Sequence, residues 1–429
     1  MVKETSLEKP ASATAAENSL ELPGGIKIPY TRKLAFTGGL APAQPNTSAP
    51  PVPFSASTPI PCYRTYDNSG RDVDGAEVPY ALEHDTAMQV YRTLVVLQVM
   101  DTIFYDAQRQ GRFSFYMSCH GEEATVVGSA AGLKNDDMAF LQYREHGLLL
   151  WRGYSLDDFA NQLLGNSLGH GLGRQMPIHH GSRKLSVQTV SSPLATQMPH
   201  AVGAAYAMKL AGSRNVAACY FGEGAASEGD AHAAFNFAAT LSAPVVFICR
   251  NNGFAISTPS YEQYRGDGVA CRGPSYGIHT IRVDGGDVRA VMNATMEARR
   301  LALAGACPVL IEAMTYRSGH HSTSDDSTRY RASSEIASWR SRDPVARYRA
   351  WLVLQGWWDE RQEQELRKES RTKVVSALGA ASSVAMPTLS QMFTDVYATM
   401  PPHLHEQRRE TFDFVRRHPG VLPANIPVE

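Results

Sequence analysis

Val216-Ala217-Ala218-Cys219-Tyr220-Phe221 runs into Gly222-Glu223-Gly224, and Val245-Val246-Phe247-Ile248-Cys249 runs into Arg250-Asn251-Asn252-Gly253-Phe254. Between them, Glu228 to Leu241 is Ala-rich with helical spacing. Two apolar segments of strand length, joined by a helix pattern and each ending in a polar, glycine-bearing turn, make a strand–helix–strand unit. Neither strand has a polar alternate face, which is the mark of parallel strands covered on both sides. The alternation continues with strands at His279 to Val283 and Val309 to Met314, separated by a helix at Val288 to Leu303. Upstream, Met88, Tyr91, Leu94, Val95, Val99 and Ile103 recur at helical spacing within Leu82 to Gln110. Gly121-Glu122-Glu123 opens another helix, reaching Leu133, with acids where a helix N-terminus favours them. The fold class is therefore α/β, a parallel sheet with helices on both faces.

This unit sits in a three-part plan. Residues 1–61 are rich in Pro, Ala, Ser and Thr and read as an extended or disordered N-terminal arm. Residues 62–333 carry the α/β pattern. Residues 334–429 turn mostly helical and charged, with the pair Trp357-Trp358, and form a helical C-terminal extension packed on the same domain.

Composition narrows the function. The 429 residues carry 41 basic and 42 acidic side chains, a formal net charge of -1. That balance offers no electrostatic footprint for nucleic acid or an anionic membrane surface, and the longest apolar runs are too short to span a bilayer. Six cysteines are scattered without a CxxC pair, and Cys219 and Cys249 fall inside strands. They read as reduced thiols in a reducing compartment. Met1 to Leu22 lacks the apolar core of a signal peptide, and its acids make it a poor mitochondrial presequence.

Ligands of open parallel sheets sit at the carboxyl ends of the strands, and three such ends are unusual here. After the first, two glycines let backbone approach a diphosphate while the next helix aims its N–H groups at it. A dinucleotide-binding turn is the rival, but Ser227 stands where the third glycine of GxGxxG belongs and Glu223 intrudes. An acid there repels a diphosphate unless a cation bridges them. The second end supplies the rest of such a cation site. Magnesium takes near-octahedral oxygen ligands, few of them from protein. Glu223 offers a carboxylate oxygen, Asn252 an amide oxygen and Phe254 a backbone carbonyl. Arg250 adds a bidentate donor for phosphate oxygens. The third end, Thr315 to Asp326, holds His320-His321; with no Cys or HExxH partner nearby, zinc is disfavoured. A histidine there suits hydrogen bonding to a 2-oxoacid and proton transfer. A plain solvated loop is the structural alternative.

Gly222-Glu223-Gly224 and, after residues 225–250, Asn251-Asn252 resemble the two-part thiamine-diphosphate motif. With Arg112 to Met117, Gly173 to Pro177, Ser191 to Gln197, Gly222 to Phe237 and His320 to Asp326, the chain from about Pro61 onward resembles alpha subunits of the branched-chain 2-oxoacid dehydrogenase complex. The resemblance implies the thiamine-diphosphate-binding fold. It implies oxidative decarboxylation of branched-chain 2-oxoacids from Val, Leu and Ile breakdown, with reductive acylation of lipoyl-lysine. Magnesium would be held by Glu223, Asn252 and the Phe254 carbonyl, where the family usually has Tyr. Tyr143, Arg144, Ser192, Gly224, Ala225, Arg250 and His321 would contact the cofactor, His321 also serving catalysis. Ser191, Pro193, Thr196 and Gln197 would bind a structural potassium ion, and Ser322 would be the regulatory phosphorylation site. The family's second such site falls on Ala332, beside Ser333. Implied partners are a beta subunit, in a heterotetramer of two alpha and two beta chains, a lipoyl-bearing dihydrolipoyl transacylase core, and a kinase and phosphatase. The implied compartment is the mitochondrial matrix. Structural alternatives are a helix N-cap at Ser191-Ser192-Pro193 and a core-edge strand with a surface charge at Tyr143-Arg144. Functional alternatives are a pyruvate or acetoin dehydrogenase alpha subunit, a catalytically silent regulatory subunit, and more distantly a nicotinamide dehydrogenase.

Overall fold

In the computed structural model, residues 18–23, 25–38 and 59–428 are described. Eleven strands occur among them: β1 Ser19–Glu21, β2 Lys27–Thr31, β3 Cys62–Tyr63, β4 Met138–Phe140, β5 Val187–Gln188, β6 Ala217–Gly222, β7 Val245–Asn251, β8 Phe254–Ala255, β9 Thr258–Pro259, β10 His279–Asp284 and β11 Val309–Met314. Nine form one sheet in the order β1-β2-β3-β10-β11-β7-β6-β4-β5, while β8 and β9 make a small hairpin. Every neighbouring pair in the large sheet is parallel except β1 and β2 at one edge. The connecting helices are α1 His84–Arg109, α2 Glu123–Gly132, α3 His146–Trp151, α4 Leu156–Leu164, α5 Gln197–Leu210, α6 Gly229–Thr240, α7 Ser260–Gln263, α8 Arg272–Ser275 and α9 Val288–Gly305. The extension adds α10 Ser333–Arg340, α11 Pro344–Leu354, α12 Glu360–Ser382 and α13 Pro402–Arg417.

Successive strand residues point to opposite faces, and the apolar runs split accordingly. Ala218, Tyr220, Val246, Ile248, Ile311 and Ala313 join a core with residues of α1, α2, α9, α11 and α12. Ala217, Cys219, Phe221, Val245, Phe247 and Cys249 join a second core with α5 and α6. All twelve are completely buried. The burial explains why these strands show no polar alternation in sequence. No helix among the described residues is long and apolar enough to cross a membrane.

The arm expected at residues 1–61 needs correcting where it is described. Ser19–Glu21 and Lys27–Thr31 are strands; β2 pairs with β3, and Leu20 and Ile28 bury against Cys62 and Met314. Alternation of apolar and polar residues over only three to five positions is too short to stand out in a Pro- and Ala-rich stretch. The rest of the arm, residues 1–17 and 39–58, lies outside the described residues. In the C-terminal helices, Trp351, Trp358, Leu366 and Val374 share the core of Tyr91 and Leu94. Its last helix, α13, buries no residue.

Candidate cofactor site

Because β11, β7, β6 and β4 are parallel neighbours, their carboxyl ends meet along one edge. Each sends a loop into one cavity of about 430 Å³. β4 contributes Gln142, Tyr143 and Arg144; β6 contributes Glu223, Gly224 and Ala225; β7 contributes Arg250, Asn252 and Phe254; β11 contributes Arg317 and His321. Ser192 also lines it. The cofactor and magnesium residues expected from the sequence thus surround one space, with Phe115, Met117, Met176, Ile178, Leu194 and Ile256 adding an apolar wall.

Two glycines shape the turns. Gly253 has φ +85, a left-handed conformation that keeps the tight turn after Asn252. At Gly224, a Cβ would stand 2.7 Å from the Ala255 Cβ, so any side chain there would push the β8 hairpin away.

The carboxylate of Glu223 is unusual. It is 1 % exposed. Its Oε2 accepts from the Asn252 backbone N–H at 3.2 Å, and its Oε1 has no hydrogen-bond partner. Burial, and secondarily repulsion from Glu122, pushes its pKa up to about 7. A buried carboxylate oxygen without a donor is costly unless something cationic completes it. The Asn252 side chain donates from Nδ2 to Glu122 Oε1 at 2.8 Å, while its Oδ1 accepts from the Phe254 N–H at 3.2 Å. Carboxylate, amide and carbonyl oxygens are the donor set of a hard divalent cation, so these residues fit magnesium.

Arg250 departs from the expected two-pronged phosphate donor. Its Nε donates to Glu145 Oε1 at 2.6 Å and its Nη1 to Glu122 Oε2, with Nη2 3.3 Å from Gln142 Oε1. Two completely buried carboxylates demand a buried cation, and they hold the guanidinium through Nε and Nη1. Arg250 still lines the cavity, held from behind. Glu145 also accepts the N–H groups of Gln142, Tyr143 and Arg144, tying β4's loop to the same clamp.

Arg144, 2 % exposed, donates to the Ser118 and His321 carbonyls, both at 2.6 Å. It is no surface charge on an edge strand. The His321 Nδ1 lies 3.3 Å from both Arg144 Nη2 and Arg317 Nη1. Guanidiniums only donate, so Nδ1 is the acceptor and Nε2 carries the proton. Burial, then the repulsion of Arg144 and Arg317, lowers the His321 pKa to about 3. His321 is therefore a neutral N–H donor beside two fixed positive charges.

The remaining expected residues lie in two loops. Ser191, Pro193, Thr196 and Gln197 share the turn entering α5, where the Thr196 hydroxyl donates to the Pro193 carbonyl at 2.9 Å and Gln197 to the Tyr220 carbonyl at 2.8 Å. No side chain caps α5, so the Ser-Ser-Pro turn is not an N-cap. Ser322, half-buried, follows His321 in a loop held by Asp325, which accepts from the His321 N–H at 2.8 Å and the Tyr330 hydroxyl at 2.5 Å. Several site residues were not singled out from sequence. Glu122 and Glu145 clamp Arg250, Arg317 flanks His321, and His179 Nε2 sits 2.7 Å from the Ser192 hydroxyl. Glu122 had a helix-N-terminus reading, Glu145 sat next to a quoted pair, and His179 had no local signal.

Residues 91–390 match the model of the dehydrogenase E1 component family. The chain belongs to that family. It is 56 % identical over 371 residues to the Homo sapiens mitochondrial 2-oxoisovalerate dehydrogenase subunit alpha, covering 86 % of this chain and 82 % of that one. Against the Mus musculus counterpart the identity is 55 %, over 86 % and 83 % of the two chains. Against subunit alpha 2 of Arabidopsis thaliana it is 46 % over 410 residues, 95 % and 83 % of the chains. The branched-chain alpha-subunit resemblance and the thiamine-diphosphate-binding fold read from the sequence are both borne out.

Proposed function

We propose that this chain is the alpha subunit of a mitochondrial branched-chain 2-oxoacid dehydrogenase, decarboxylating acids such as 3-methyl-2-oxobutanoate and passing the acyl group to lipoyl-lysine. The observation that carries it is the buried Oε1 without a partner on Glu223, a residue lining the cavity that the matching motifs surround. Glu223, Asn252 and the Phe254 carbonyl would hold magnesium, which would supply the positive charge that the Glu223 carboxylate and a diphosphate need in order to share one site. When bound, thiamine diphosphate supplies the carbon nucleophile and electron sink for decarboxylation.

The residues of this chain do the rest. Tyr143, Arg144, Ser192, Gly224 and Ala225 line the diphosphate end, with Arg250 steadied behind it. Neutral His321 presents its Nε2–H to oxygen of cofactor or substrate, and Arg144 and Arg317 favour developing negative charge nearby. The apolar wall excludes water and accepts a branched aliphatic chain. Ser191, Pro193, Thr196 and Gln197 hold potassium, which stiffens the turn bearing Ser192. Phosphorylation of Ser322 by a kinase, reversed by a phosphatase, would set a dianion against Asp325 and Asp326 and loosen the His321 loop. A beta subunit, two with two alpha chains, covers the cavity where Met176, Leu194 and Ile256 are exposed, and the pair docks on the transacylase core.

Co-expression with the cognate beta subunit tests this reading. Turnover of 3-methyl-2-oxobutanoate above pyruvate, dependent on thiamine diphosphate and magnesium and lost in His321→Ala, is expected. Preference for pyruvate would overturn the substrate, and no turnover from an assembled complex would make the chain a silent subunit.

A further inference from the structure

The functional reading uses Arg250 and Asn252 but not the group that joins them. Glu122 precedes α2 and is completely buried. Its Oε1 accepts from Asn252 Nδ2 at 2.8 Å and its Oε2 from Arg250 Nη1. One carboxylate therefore touches both the amide assigned to the metal and the guanidinium behind the diphosphate. By taking the Nδ2 hydrogen it decides which way the Asn252 amide faces, leaving Oδ1 on the side of the Phe254 turn. Glu145 differs: it grips Arg250 and three backbone N–H groups of its own loop, with no hydrogen bond to Asn252.

We infer that Glu122 is a positioning residue that couples the metal half of the site to the diphosphate half. This rests on the cofactor reading above. A planar carboxylate gripping two side chains cannot shift one without the other. Ordering of Asn252 by the metal thus orders Arg250, and by reciprocity a seated diphosphate improves the metal site. Groups behind the direct ligands ordinarily change affinity about 10–100-fold when removed.

The test uses the assembled alpha–beta complex, with thiamine diphosphate titrated calorimetrically at a series of magnesium concentrations and thermal unfolding followed without ligands. In the unmodified complex, magnesium is expected to strengthen thiamine diphosphate binding. In Glu122→Gln the side-chain NH2 must face either Arg250 or Asn252, both donors, so one bond is lost. Affinity at saturating magnesium should fall about 10–100-fold, and most of the magnesium dependence should disappear. Glu122→Asp, which keeps the charge but cannot span both partners, should do the same and serves if the Gln variant fails to assemble. Glu145→Gln should weaken binding while keeping the magnesium dependence. An unchanged magnesium dependence in both Glu122 variants would overturn the inference, as would an equal loss of it in Glu145→Gln. Binding of thiamine diphosphate by the unmodified complex without any response to magnesium would overturn the metal-site reading beneath it.

Discussion

Glu223 and Glu312 flank the same strand, β7, and live in opposite circumstances. Glu312, on β11, is completely buried with both oxygens satisfied. Oε1 accepts from Asn251 Nδ2 at 2.8 Å and the Val269 N–H at 2.7 Å, and Oε2 from Arg282 Nε at 2.9 Å and the Ala270 N–H at 3.0 Å. Burial opposes its ionisation, but Arg282 and these donors outweigh burial and hold its pKa below the ordinary range. Glu223 has one weak donor, an orphaned oxygen and a pKa raised to about 7. Two acids equally hidden from water thus declare different jobs. The one whose partners are all protein holds the loop at 264–270 and the Asn251 side chain in place; the one left incomplete is built to be finished by a ligand.

The contrast breaks if removing the incomplete acid proves to be a structural injury. Glu223→Gln in the alpha–beta complex should abolish cofactor-dependent decarboxylation, a loss of about a thousandfold or more. The ligand-free melting temperature should hold or rise, because an unpartnered buried charge has gone. A lowered melting temperature would place Glu223 with Glu312. The reverse change, Glu312→Gln, takes the carboxylate from Arg282 Nε and leaves Asp267 as that cation's remaining acid partner, and should cost about 3 kcal/mol in urea unfolding. Activity per folded molecule should suffer far less.

Acid sharpens the same difference. A carboxylate whose folded pKa is depressed contributes stability above its unfolded value, near 4.5, and that stability is lost as pH falls through the folded value. The complex should therefore lose stability below about pH 4.5, and Glu312→Gln should lose less over that window. His321, lowered to about 3, stays neutral from pH 5 to 8. His321→Asn should reduce kcat/KM by the same factor at pH 6 and pH 8, whereas a pH-dependent factor would mean the imidazole charges in that range. The smallest effect is expected at Phe254→Tyr, where the carbonyl stays and only a hydroxyl is added among Tyr316, Tyr330 and Arg331. Turnover should change by no more than about twofold.

Sequence by itself determined the elements that carry apolar runs or long helical periods. The helix read over Leu82 to Gln110 is α1 at His84–Arg109, and the strand read at Val245 to Cys249 is β7. Such signals are local, set by burial and repeated along the chain. The three-residue β4 and the edge strands β1 and β2 were too short to show a period. The Gly-Glu-Gly and Asn-Asn turns were legible because metal and diphosphate chemistry demands particular side chains at strand ends. Tertiary structure alone decided what stands behind them. Parallel order brings β4, β6, β7 and β11 side by side, so Glu122 and Glu145 meet Arg250 across 128 and 105 residues of chain. That meeting turned an expected phosphate fork into a braced cation. It also put two arginines on the Nδ1 of His321, fixing a neutral tautomer that no spacing in the chain encodes. Charge pairing acts through space at 3 Å, and the chain order of its members carries no trace of it.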